Sequence, residues 1–304
     1  MGYIGRHSRQ QSESDRSVHI LVIGGTKFIG PYVVRQLAAQ GHTVTVLHRG
    51  EHEADLPVNV THVHDTAAAM PVVSFSAAAL KPLPDVVIHM IAVGDRDAQA
   101  AVAAFRGKTG RLVMLSSGDV YRAYGVFTGI EVTSVQQGPL TEASPLRSVL
   151  YPYRKHAQSP EDWLFSYEKV LVEQAVLAVP NLTSVVLRLP KVYGREENAD
   201  LATMYSFRHQ PQWRWTHGYV ENVAHAIVLA ALHPSAAGIY NVGEEYTPTV
   251  AERLALLPPS SIPVSAMTAN FDQDIMYDTT RIRVELGYSE LVNYEEGLRR
   301  TLGF

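Results

Sequence analysis

A chain of 304 residues with 46% apolar content is long enough for one large α/β domain, or for one domain with a small appendage. A formal net charge of −4 offers no basic stripe for nucleic acid, and the absence of cysteine excludes disulfides, thiolate metal sites and a cysteine nucleophile. No apolar run reaches the length of a membrane span, and residues 1–17 are polar without the apolar core of a signal peptide; they are expected to form a mobile tail on a cytoplasmic protein.

Val18 to Ile23 has the length and β-branched content of a buried parallel strand. It runs into Gly24-Gly25-Thr26-Lys27-Phe28-Ile29-Gly30, after which Val33, Val34, Leu37 and Ala38 recur at helical spacing until Gly41, a C-cap signal. A strand that turns through glycines into a helix offers free N–H groups and the positive end of the helix dipole to a phosphate. Gly24 permits the tight turn, Gly30 lets the helix approach the sheet, and Lys27 stands where a dinucleotide fold of this spacing has its middle glycine.

Thr43 to Leu47 is a second strand, ending at His48-Arg49-Gly50. An acidic residue at this point would bind the adenosine ribose; none is present, and Arg49 suits a 2′-phosphate or adenine stacking, as against an ordinary solvated loop arginine. Val58 to Val63 is the third strand, with Asp65 following where adenine contacts arise. His62 and His64 alternate on one face of it, but no nearby residue completes a familiar metal spacing, so they read as structural or surface histidines and no metal is expected.

Asp85 to Ile91 is the fourth strand, Ala98 to Phe105 a helix, and Arg111 to Leu115 the fifth strand, delivering Ser116-Ser117-Gly118-Asp119-Val120-Tyr121 to its carboxyl end. Arg122 to Pro160 is a long irregular stretch of the kind that forms a lid or substrate wall. A helix is expected from Ser159, as N-cap, through Trp163, Tyr167 and Leu171 to Val179. Ser184 to Leu189 is the sixth strand, followed by Pro190-Lys191-Val192-Tyr193-Gly194. Trp213, Trp215 and Tyr219 sit at period-two spacing, as a substrate wall or as a strand's packing face. Glu221 to Leu232 is helical, Gly238 to Val242 a strand, and small helices follow near 248–257, 279–286 and 294–302. The alternation implies a doubly wound parallel α/β sheet with ligands at its carboxyl edge.

VIGGTKFIG, DVVIHMI, RLVMLSSGDVY, PLTEASP, LRLPKVYG, GYVENVAHAIVLAAL, GIYNVG and TTRIRVELGY together resemble the extended short-chain dehydrogenase/reductases of the NAD-dependent epimerase/dehydratase type, over nearly the whole chain from residue 18. GGTKFIG is most similar to an atypical branch with a basic residue for the middle glycine, which includes chloroplast stem-loop-binding proteins as well as sugar-nucleotide enzymes. The resemblance implies a Rossmann domain (18–194 and about 218–243) with a small substrate-binding subdomain (about 195–217 and 244–304). It implies NADP or NAD, with NADP slightly preferred, against Gly24, Thr26, Lys27, Phe28, Ile29, Gly30, His48, Arg49, Asp65, Met90, Ile91, Lys169, Pro190 and Val192. It also implies a small-molecule, sugar-like substrate and leaves a homodimer open.

The family's chemistry uses a Ser or Thr, a Tyr, and a Lys four residues after the Tyr; the cation favours the phenolate. Ser117 falls on the serine position. Tyr151 and Lys155 have the spacing, but Pro152 and Pro160 oppose a continuous helix. Lys169 with Glu173 fits the register better and puts Phe165 at the tyrosine position. In a continuous helix Tyr167 lies about 200° away from Lys169. Ser117, Tyr151 (from the loop) and Lys169 are therefore the expected catalytic residues. A redox enzyme, a non-redox enzyme on the same scaffold and a cofactor-dependent binding protein all remain compatible with this pattern.

Overall fold

The computed structural model describes residues 17–198 and 201–303. Of the expected tail, residues 1–16 lie outside the described residues; Ser17 hydrogen-bonds the Gly41 carbonyl.

Seven parallel strands form the central sheet: β1 (His19–Ile23), β2 (Thr43–His48), β3 (Thr61–His64), β4 (Val86–His89), β5 (Arg111–Ser117), β6 (Thr183–Leu189) and β9 (Gly238–Asn241). Their order is β3-β2-β1-β4-β5-β6-β9, a doubly wound Rossmann arrangement with its switch point between β1 and β4. The strand interiors are near-continuous runs of Val, Ile and Leu because helices cover both faces. On one face α1 (Ile29–Ala39) and α7 (Val220–Leu232) pack together, with Val33, Val34 and Leu37 meeting Val223 and Ile227 in the same core. On the other, α2 (Asp95–Phe105) and α5 (Lys169–Leu177) bury Ala98, Phe105, Val172 and Val176.

A third core lies beyond the carboxyl edge, where α3 (Arg122–Phe127) stacks Phe127 on Trp213 at 4.7 Å between ring centroids, beside Leu140, Ile275 and Tyr277. Trp213 is thus a packing residue, whereas Trp215 bridges to Ile275 and lines a cavity. A two-stranded sheet of β7 (Lys191–Tyr193) and β8 (His217–Tyr219) and the helices α6 (Ala202–Ser206), α8 (Val250–Ala255) and α10 (Tyr294–Leu302) complete this region. The division expected at 244 is crossed by α9 (Thr280–Leu286), whose Ile282 and Leu286 join the main core beneath the sheet.

The main departure concerns the helix expected from Ser159 to Val179. It is broken into α4 (Trp163–Ser166), capped by Asp162, and α5, capped by Glu168, with Tyr167 and Glu168 extended between them. The Glu168 carboxylate accepts the Val170 N–H at 3.0 Å, and this capping role requires the non-helical backbone observed there (φ −158°, ψ 92°).

Candidate active site

The cleft begins where β1 gives way to α1. Gly24 has φ +86°, and a Cβ there would lie 2.5 Å from the Ile91 side chain at the end of β4. A Cβ on Gly30 would lie 2.5 Å from the Gly25 carbonyl carbon, so the first turn of α1 seats directly on the loop. Phe28 occupies the left-handed half of backbone space (φ 48°) to make the turn without the usual middle glycine. Gly24, buried Thr26, exposed Lys27, His48, Arg49 and Ile91 line one cavity, at the switch point of the sheet. Arg49 pairs with Glu51 at 2.8 Å, both well exposed. A space at a helix N-terminus that a Cβ would fill, with two cations beside it, fits a dinucleotide pyrophosphate.

The other expected cofactor residues divide. Met90 and Ile29 are half-buried against the core. Asp65 spends its carboxylate on the Ala67 and Ser76 N–H groups, at 2.9 and 3.1 Å, and is a turn cap rather than a cavity residue. Pro190 lines a second cavity and Phe28 a third, while Val192 packs against the core from β7.

That second cavity, at the ends of β5 and β6, is lined by Ser117, Asp119, Tyr124, Tyr153, Pro190, Lys191, Trp215 and Tyr277. Ser117 ends β5, and its Oγ accepts the Asp119 N–H at 3.3 Å. Lys169, at the start of α5, is buried with Nζ donating to the carbonyls of Ala92 (2.5 Å), beyond the end of β4, and Leu115 (2.9 Å), within β5. Burial lowers its pKa to about 8, against the opposing pull of Asp119, Asp97 and Glu173. Glu173, one turn on, is taken by Arg188 at 2.7 Å and by Ser116 at 2.6 Å, which ties α5 to β5 and β6.

At the phenol the structure departs from the sequence reading. Tyr151 does not line this cavity; its ring lies under the Arg154 guanidinium at 3.6 Å. The ring of Phe165, the residue expected at the tyrosine position, lies 4.7 Å from the same guanidinium. Because α4 and α5 are separate, the helical argument against Tyr167 fails. Its ring is 5.7 Å from Lys169 Nζ, and its hydroxyl lies near both Ser117 and Asp119. Burial, then the Asp119 carboxyl, pushes the Tyr167 phenol well above its usual range. Tyr153 donates to Asp119 Oδ2 at 3.0 Å, and burial raises its phenol as well. The buried Asp119 carboxyl is raised by desolvation, although Arg147 and both phenols pull it down.

Glu168 explains this convergence. Besides capping α5, it holds buried Arg147 (2.9 and 3.3 Å) and the backbone N–H of Tyr151 (2.5 Å), and Arg147 Nε in turn donates to the Asp119 carbonyl at 2.5 Å. The available signal was an acidic residue directly before a helix-forming run; its arginine partner on the long loop carries no spacing rule.

The family model for the NAD dependent epimerase/dehydratase family matches residues 20–243. A comparison with curated proteins finds no match. The fold is shared with UDP-glucose 4-epimerase of Thermus thermophilus in complex with NAD, at 22% identity over 94% of this chain and 98% of that one with a TM-score of 0.65. It is also shared with the Bordetella bronchiseptica enzyme WbmH in complex with NAD+ (18% identity, 95% and 98%, TM-score 0.69) and with TunA, an NAD dependent NDP-hexosamine 5,6-dehydratase (20%, 94% and 97%, 0.67). With nearly three quarters of its length matched by the family model, the chain belongs to the NAD dependent epimerase/dehydratase family.

Proposed function

We propose that this enzyme acts at a hydroxyl-bearing carbon of a nucleotide sugar, as an epimerase, dehydratase or oxidoreductase, with Tyr167 as the proton-exchanging phenol. The observation that carries the reading is the approach of Tyr167 to Ser117, Asp119 and Lys169 at the carboxyl edge of the sheet, the edge that also carries the Gly24 cradle. The nucleotide-sugar class is supported by proteins of this fold that include a UDP-glucose 4-epimerase and an NDP-hexosamine 5,6-dehydratase.

The nicotinamide, when bound, supplies the hydride chemistry. Gly24, Thr26 and Lys27 would hold the pyrophosphate, and Lys169 would exchange its carbonyl contacts for the ribose. Ser117 orients the substrate oxygen. Tyr167 holds its proton in the resting chain and can donate it to a carbonyl oxygen. In the opposite direction it must first give that proton up, and buried Asp119, shared with Tyr153, is the nearest acceptor. Trp215 and Tyr277 wall the site from water. Of the two dinucleotides we favour NADP(H), since His48-Arg49 stands where a ribose-binding acid would repel a 2′-phosphate.

The test is turnover of a panel of UDP- and dTDP-sugars with NAD+ and NADP+, followed by reduced-nicotinamide absorbance and product analysis. Tyr167→Phe should lower kcat by roughly 10²–10⁴ with dinucleotide affinity retained, whereas Tyr151→Phe should leave kcat near wild type. A Tyr151→Phe defect larger than that of Tyr167→Phe would overturn the assignment, and no turnover of any panel member would overturn the substrate class.

A further inference from the structure

His62 and His64 lack a third ligand at any familiar sequence spacing, but the sheet register supplies one. His48, the last residue of β2, pairs directly with His64 of β3, and His62 stands two residues before His64 on the same face. Three imidazoles therefore project together from adjacent strands at the sheet's edge, and Glu53, from the loop after β2, closes over them. His48 Nε2 lies 3.0 Å from His62 Nδ1 and 3.8 Å from Glu53 Oε2. His62 Nδ1 lies 3.3 Å from Glu53 Oε2, and His64 Nε2 lies 2.8 Å from Glu53 Oε1. All four donor groups fall within 4.8 Å of one another, the one such group among the described residues.

Zinc bonds to nitrogen and carboxylate oxygen are about 2.0–2.1 Å long, so the edge of a zinc tetrahedron is about 3.3 Å. The observed separations bracket that edge. Three neutral imidazoles and one carboxylate carry a single negative charge, and this ligand set suits a divalent ion of the zinc and cobalt class rather than the all-oxygen preference of magnesium or calcium. We propose that His48, Glu53, His62 and His64 form a binding site for a divalent transition metal, with four protein ligands and no open position. Ligation through His48 Nε2 moves that ring's proton to Nδ1, and the Gly50 N–H gives up its 3.3 Å contact there. The ion staples the edge strand and the loop after β2 to the body of the sheet. It stands beside the Gly24 cavity, which His48 also lines, but it does not depend on the cofactor or substrate assignment.

The experiment uses the full chain stripped with a chelator and titrated with Zn2+ and, separately, Co2+. One ion per chain is expected, with the visible d–d bands of tetrahedral Co2+ and a rise in Tm on loading. His64 is exposed and His62 half-buried, so His62→Ala/His64→Ala should fold, as far-UV circular dichroism will check, and should lose the Co2+ bands. Each single variant should weaken binding by about tenfold or more. His52→Ala, outside the cluster, should bind as wild type. Absence of one-to-one binding, a response of the cluster to pH alone, or undiminished binding by the double variant would overturn the proposal.

Discussion

Around Gly24 the phosphate-facing turn is made from residues adjacent in the chain: one strand, one turn and one helix, held by the space that two glycines leave empty. At the other end of the site Ser117, Tyr167 and Lys169 come from separate elements, and they are held by buried ion pairs, Arg147–Glu168 and Arg188–Glu173, that reach across the long loop and the sheet. The first end depends on what is absent, a side chain. The second depends on charges that cannot be left unpaired in the interior.

Breaking one partner at the second end should therefore have the largest effect. Glu168→Ala removes the cap of α5 and strands Arg147 in the interior, for an expected loss of about 3–5 kcal/mol in urea unfolding. Glu51→Ala, which breaks the exposed Arg49 pair at the cradle, should cost no more than about 0.5 kcal/mol. Similar losses for the two would erase the contrast.

Lys169 gives a pH signature. Its pKa falls from an unfolded value of 10.5 to about 8 in the folded chain. Below pH 8 both states hold the proton and the burial penalty is constant. Between about 8 and 10.5 the unfolded chain binds the proton that the folded chain has released, so stability rises with pH, and then levels. Measured against Lys169→Met, which cancels the titration of the phenols, the wild-type chain should gain up to roughly 3 kcal/mol across that window. A flat difference would mean that Lys169 keeps its proton when buried.

Gly24→Val tests the cradle. A branched side chain at φ +86°, driven into Ile91, should weaken NAD(H) and NADP(H) by at least about a hundredfold in calorimetry, which is near 2.7 kcal/mol. Retained affinity would move the dinucleotide elsewhere. Among the cofactor contacts a smaller effect is expected of Arg49→Ala, about 1 kcal/mol against NADP(H) and less against NAD(H), because Arg49 must first part from Glu51. Equal losses would mean that Arg49 touches only what the two cofactors share.

The contrast also decides what could be read in the sequence. β1, α1, α7 and the closing helices declare themselves through local periodicity and caps, and the structure places them within a residue or two of expectation. β3 begins later than expected, at Thr61, because Val58 lies fully exposed in the preceding turn. Tyr167 was concealed by an assumption of helical continuity that Glu168 breaks, and Glu168 takes its role from Arg147, an ion pair between segments with no fixed spacing. The grouping of His48 with His62 and His64 was hidden for a related reason: register between strands is set by the whole sheet.

The parallel pairing of β5 with β6, from Arg111 opposite Thr183 to Ser117 opposite Leu189, has a consequence for the order in which the molecule assembles. Between those strands lies the entire excursion that carries Tyr153, Tyr167 and Lys169, and closing so long a segment costs chain entropy before any contact compensates it. The cradle at Gly24 needs β1 with its neighbours β2 and β4, all of which lie between His19 and His89. The Ser117 end also needs β6 docked across that excursion, so of the two it carries the larger closure cost and is expected to form later.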